Sequence, residues 1–207
     1  MAHLFVLGDI VSPERNCNDL LSRLRQPKRG DLVPNCIYGW WEEQLLAVIG
    51  FRGEQLPVAL DGHHDFLTVD HLRAAVSKDH LKWLASLQFG FVELDCGLIH
   101  GSSADVGDRL LETTSPLILL DRLTRLDVNR LFTARCGRQF RVQLTAGVIQ
   151  SKVIDPVGET QQEHTVPKRS VICIGSAVNY TLYYPQSDHI EFLSVVDRSG
   201  RSKLGFG

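Results

Sequence analysis

Two histidines and an aspartate, His63, His64 and Asp65, follow directly on an apolar run in the stretch ALDGHHDF, residues 59–66. Imidazole nitrogens beside a carboxylate can ligate a metal ion or pass a proton. Val58, Ala59 and Leu60 read as the end of a buried strand, with Gly62 as the break after it. Polar groups just beyond a strand's carboxyl end are where open α/β sheets usually place their chemistry. The same trio also makes an ordinary polar loop, in which His64 donates to Asp65 or to a backbone carbonyl. Two further strand ends carry such groups. Gly8-Asp9 closes the apolar run HLFVL, and His100 follows CGLI. Asp9 could accept from loop amides, and His100 reads equally as a ligand or as a satisfied, partly buried imidazole.

The elements that must position these groups can be read from hydrophobic period. HLFVL suggests a buried strand, and Leu20, Leu21 and Leu24 share one helical face, with Asn16 or Asn18 as cap. NCIYGW then reads as a strand, WWEEQLLAVIGF as a helix and LPVALDG as a third strand. These strands are too apolar to alternate, which marks a parallel sheet covered on both faces. TVDHLRAAVSKDHLKWLASL is helical, with Ser77 or Asp79 able to start a second helix. FGFVEL and CGLIHG form a hairpin split at Asp95, and PLILLDRLTRL is a helix. RLFTA, QFRVQL, SKVID, SVICIGS, YTLYYP and IEFLSVV are strand-like. Residues 155–169 read as an exposed loop, and 198–207 as a loose tail.

Composition excludes several classes. The 207 residues suit one domain, 1–207, with a real core. Hydrophobic residues make up 43% and charged residues 22%, as in ordinary globular proteins. With 22 basic against 24 acidic residues the net charge is −2, so no basic footprint points to nucleic acid. No run reaches the ~18 apolar residues of a membrane span, and Gly8-Asp9 cuts the first apolar stretch too short for a signal peptide. Cys17, Cys36, Cys96, Cys136 and Cys173 are scattered and odd in number, without a C-x-x-C pair. They read as reduced, mostly buried thiols in a cytoplasmic protein. Dinucleotide, P-loop and G-x-S-x-G signatures are missing from the sequence.

In order along the chain, FVLGDI, CIYGW, LPVALDGHHD, LIHGS, FTARCGRQF and CIGSA resemble the motif blocks of calcineurin-like metallophosphoesterases. Those blocks usually read GD-x-H, GD, GNHD, VHG, GHTH-x-x-F and NPGS. SKDHLKWLASL is similar to the family's helix before the VHG strand, and YTLYYPQSDHIEFLSV to its closing hairpin. The resemblance covers nearly the whole chain. It implies a four-layer α/β/β/α sandwich of two mixed sheets, with the site at one edge of both.

The same resemblance implies a degenerate site. The family's metal-ligand positions fall on Asp9, Val11, Trp40, His63, His100, Arg135 and Gly137. Asp9 and His100 keep the family's residue, and His63 stands where the family has asparagine. The acid of active members falls on His64 and its partner on Asp65. A dinuclear hydrolase needs two ions ~3.5–4 Å apart under a shared carboxylate. Trp40 offers no bridging lone pair, Val11 and Gly137 offer no ligand atoms, and Arg135 repels a dication. Asp9, His63 and His100 could hold at most one Mn or Zn ion, weakly. No cofactor is the expectation.

Family precedents for a non-catalytic role are a retromer subunit and the small subunits of replicative DNA polymerases. The leading expectation is therefore a protein-interaction or scaffold module with a partner of unknown identity. The alternatives are a phosphoesterase using a single metal with His64 as acid, and a metal-free sensor of a phosphorylated ligand using Arg135 and Arg138. Arg135 is expected to project toward Asp9, with the Trp40 indole between them.

Overall fold

The computed structural model describes residues 2–50, 66–145, 147–155, 158–166, 168–176 and 178–195. Strand β1 (Leu4–Leu7) pairs in parallel with β2 (Pro34–Ile37) across helix α1 (Asn18–Arg25). Cys17 is the residue ahead of that helix, and Asn16 Oδ1 accepts the Asn18 N–H at 3.0 Å, so Asn16 supplies the polar group at its start. Helix α2 (Trp40–Val48) follows β2 after Gly39. Helices α3 (Phe66–Ala75) and α4 (Lys78–Ala85) come next. They are separated by Ser77, whose hydroxyl accepts the His80 N–H at 3.3 Å and so caps α4.

Strands β3 (Gly90–Glu93) and β4 (Cys96–Ile99) form an antiparallel hairpin. Its turn residues Leu94 and Asp95 have φ of 49° and 63°, the left-handed pair that a tight two-residue hairpin requires. Helix α5 (Pro116–Arg125) opens on a proline, which lacks the N–H that would be unpaired there. Strands β5 (Arg130–Thr133), β6 (Gln139–Leu144) and β9 (Arg169–Ile174) complete a five-stranded sheet of order β3-β4-β5-β9-β6. Strands β7 (Gly147–Asp155) and β8 (Gly158–Val166) make one hairpin, and β10 (Asn179–Tyr184) and β11 (His189–Ser194) another.

Period-two alternation decides which face of the five-stranded sheet each residue joins. Ile99, Leu131 and Val171 pack with Leu119, Leu123 and Val128, under α5. Their neighbours Phe132 and Ile172 point the other way and join Leu7 of β1, Ile37 of β2 and Tyr183 and Ile190 of the β10–β11 hairpin. Both faces of the sheet are thus buried. A third cluster holds Val11, Leu21, Leu45, Leu72 and Leu84 among the first four helices. Truncating a residue as enclosed as Leu123 would cost about 2–5 kcal/mol.

One expectation changes. Residues 155–169 are not a loop in their middle: Gly158–Val166 is strand β8, in register with β7 from Asp155↔Gly158 to Gly147↔Val166. GETQQEHTV carries little apolar signal, and its regularity comes from backbone pairing with β7. The mixed α/β architecture is as expected; among the described residues the strands fall into one five-stranded and three two-stranded hydrogen-bonded sets. The segment expected as the third strand, LPVALDG, and the tail 198–207 lie outside the described residues. None of the helices among the described residues is long and apolar enough to cross a membrane.

Candidate functional site

The ends of β1 and β2 meet at two glycines. A Cβ on Gly8 would stand 2.4 Å from Gly39 Cα, and one on Gly39 would stand 2.2 Å from Asp9 N. Only glycine at both positions lets these backbones touch. Gly8 (φ 76°) and Asp9 (φ 50°) are both left-handed, a turn that swings the Asp9 carboxylate across the end of the sheet. Aspartate tolerates this region better than most residues, and strain of this kind concentrates at sites.

A residue that sequence reasoning missed holds the turn. Glu42, fully buried in the first turn of α2, accepts three backbone N–H groups: Gly39 at 2.7 Å, Asp9 at 2.8 Å and Val11 at 2.7 Å. Its signal was present in the sequence as G-W-W-E, the spacing at which an N3 glutamate reaches back to the N-cap amide. Burial and the neighbouring Asp9 charge push Glu42 up to about 7, against the Val11 and Gly39 amides and the His100 charge, which favour its ionised form.

Asp9 Oδ1 accepts the Trp41 N–H at 2.9 Å, while Oδ2 lies 3.3 Å from His100 Nε2. His100 is buried at the end of β4, and its Nδ1 stands 2.7 Å from the Leu7 carbonyl. Nδ1 therefore carries a proton and Nε2 faces the carboxylate. The Nε2–Oδ2 distance is within ion-pair range, so the two side chains attract as a charge pair. Burial alone would raise Asp9 and lower His100. The pair overcomes it in both, helped at Asp9 by the Trp41 amide and the Arg135 charge and at His100 by the Leu7 carbonyl. Asp9 is held below the usual carboxylate range and His100 above the usual imidazole range.

Arg135 enters from the turn after β5. The His100 carbonyl accepts from Ala134 N and Arg135 N, both at 2.9 Å, and from Thr133 Oγ1 at 2.7 Å, which ties that turn to β4. The Arg135 guanidinium carbon lies 4.7 Å from the centre of the Trp40 ring, a cation–π contact. Trp40 also meets Trp41 edge-on with centroids 4.8 Å apart, and its Cδ1 would be 3.3 Å from a Cβ on Gly107.

Asp9, Trp40, His100 and Arg135 are thus brought to one sheet end. Arg138 is not part of this group: it is exposed and pairs with Glu112 at 3.1 Å. His63, His64 and Asp65 lie outside the described residues. Val11 contributes its amide to Glu42, and Gly137 (φ 73°) shapes the turn. The described residues contain no group of three or more His, Cys, Asp or Glu able to hold a metal ion. Among the described residues a dinuclear centre does not fit the donors: Trp40, at the position the resemblance makes the bridge, offers an indole without a lone pair, and the Arg135 charge already acts on Asp9.

No family model matches the sequence, and comparison with curated proteins finds no match. Among solved structures, the chain is similar to a metallophosphoesterase from Sphaerobacter thermophilus, with a TM-score of 0.62 at 14% identity. The likeness covers 96% of this chain and 79% of that one. The chain has the metallophosphoesterase fold.

Proposed function

We propose that this is a non-catalytic protein of the metallophosphoesterase fold that works as a protein-interaction module. The observation that carries this reading is the Asp9 carboxylate, already engaged by Trp41 N–H and His100 and facing the Arg135 charge. On this reading Arg135 does the electrostatic work of a cation without Lewis acidity. It steadies the loops and generates no hydroxide. The surface offers a place for a partner: Tyr180, Leu182 and Tyr184 alternate along one face of β10 and are all exposed, an apolar patch of the kind that marks interfaces.

Activity is tested by incubating the full chain with p-nitrophenyl phosphate and bis(p-nitrophenyl) phosphate in Mn²⁺ or Zn²⁺. The expected result is no turnover above the metal blank, and metal-dependent turnover overturns the reading. The surface is tested by affinity purification beside a Tyr180→Ser/Tyr184→Ser variant. A protein retained by the wild type and lost by the variant is expected, and identical retention by both removes this face from the proposal.

One observation favours a second reading, a single bound ion. His100 Nε2 and Asp9 Oδ2 face one another at 3.3 Å, two donors of the right type. Calorimetric titration with Zn²⁺ separates the two readings. Stoichiometric heat lost in His100→Ala supports the ion, and no heat supports the metal-free site.

A further inference from the structure

The turn that carries Arg135 also carries Cys136, and its sulfur lies 2.7 Å from the sulfur of Cys173 on β9. Non-bonded heavy atoms sit at ~3.5–4.0 Å, so the two thiols are already pressed together. Cys173 is fully buried, between Thr133 of β5 and Phe140 of β6 in the sheet register. Cys136 is half-buried, and its Sγ also meets the Arg138 carbonyl at 3.3 Å and the Arg138 N–H at 3.4 Å. Cys17, Cys36 and Cys96 complete the five free thiols. Cys17 and Cys96 donate to the carbonyls of Arg15 and Leu94.

We infer that Cys136 and Cys173 are a reversible dithiol–disulfide pair, oxidised by a low-molecular-weight disulfide such as glutathione disulfide. Closing to the ~2.05 Å of an S–S bond needs a movement of less than an ångström. The order of events follows from access. The Cys136 thiolate attacks one sulfur of glutathione disulfide, forming a mixed disulfide and releasing one glutathione thiolate. Cys173 then gives up its proton and attacks the Cys136 sulfur, and the second glutathione leaves. Two electrons pass from the protein thiols to glutathione disulfide, and the two cysteine protons end on two glutathione molecules. Burial and the Cys136 contact push the Cys173 thiol up to about 12, which leaves the first attack to the more accessible Cys136, and Cys173 follows because its sulfur already touches the bond to be broken.

The bond would fasten the Ala134–Gly137 turn, closed by Gly137 N to Ala134 O at 2.9 Å, onto strand β9, which lies between β5 and β6. That turn presents Arg135 to Trp40 and hydrogen-bonds the His100 carbonyl. Oxidation thereby stiffens one wall of the site.

The test treats the purified full chain with glutathione disulfide and reads intact mass, then non-reduced peptide maps. The expected result is a loss of the mass of two hydrogens, a Cys136–Cys173 cross-linked peptide, and a thiol count that falls from five by two. Reduction with dithiothreitol should restore all of them. Cys136→Ser, at the half-buried position, should abolish the bond, and Cys36→Ser should leave it unchanged. A glutathione adduct that persists on Cys136 in the wild type overturns the proposal. So does a bond mapped to another pair, or a mass that does not change.

Discussion

The guanidinium of Arg135 lies across the face of Trp40, 4.7 Å from the ring centre, although 95 residues separate them in sequence. The contact joins the turn after β5 to the start of α2 at the point where the two halves of the site meet. A partly desolvated pair of this kind contributes about 1–2 kcal/mol. Arg135→Ala should lower the urea midpoint accordingly, with Arg135→Lys intermediate because an ammonium lacks the planar stack. Equal midpoints for wild type and Arg135→Ala would show the contact to be idle.

Glu42 should matter more. Its carboxylate satisfies three amides where water is excluded, and each donor left unpaired costs about 1–3 kcal/mol. Glu42→Gln keeps the shape but turns an NH₂ toward at least one N–H. It should lose about 1–3 kcal/mol in urea unfolding. Glu42→Ala, which abandons all three, should lose more. A Glu42→Gln variant as stable as wild type would mean that the amides find other partners.

Much of this site was legible in the sequence, and the remainder was hidden for physical reasons. Gly8, Asp9, Gly39 and His100 sit at strand ends in short motifs, where a turn residue after an apolar run carries positional meaning. Glu42 escaped because a glutamate in the first turn of a helix is ordinarily a solvated charge. Only the backbone crossing of Gly8 over Gly39 puts it under cover. The Cys136–Cys173 contact depends on β5, β6 and β9 being neighbours, and scattered cysteines give no hint of that. Strand β8 was missed for the opposite reason: its order lies in backbone pairing, which leaves no trace in the hydropathy of GETQQEHTV.

Gly39 offers a clean steric test. Its backbone angles, φ −110° and ψ −166°, are open to any residue, so an alanine there meets no conformational penalty. The added methyl would stand 2.2 Å from Asp9 N and 2.6 Å from Asp9 Oδ1, and the backbone atom has nowhere to move. Gly39→Ala should destabilise by about 3 kcal/mol or prevent folding. Gly50→Ala, with open space around it but φ of 72°, should lose about 1 kcal/mol through backbone strain alone. If the two variants proved equally stable, the close approach of β1 and β2 would be wrong.

The buried titratable cluster fixes the sign of the pH dependence. Glu42 rises from an ordinary 4.5 to about 7, so its contribution is present at low pH and is lost as pH climbs through that interval. His100 is raised above its ordinary 6.5, so its contribution is full below 6.5 and fades as pH passes its folded value. Asp9 is lowered from 3.8, so it stabilises above 3.8 and its contribution is lost as pH falls through the folded value. The three together place the cluster's optimum at about pH 4, above the 3.8 of Asp9 and below the 4.5 at which the Glu42 contribution begins to fall. Urea unfolding should therefore give a higher midpoint at about pH 5.5 than at about pH 8. His100→Gln and Glu42→Gln should each flatten that slope while lowering stability at the acidic end. A midpoint that rises from the acidic to the alkaline condition would show that Glu42 is fully ionised and that its three amides outweigh its burial.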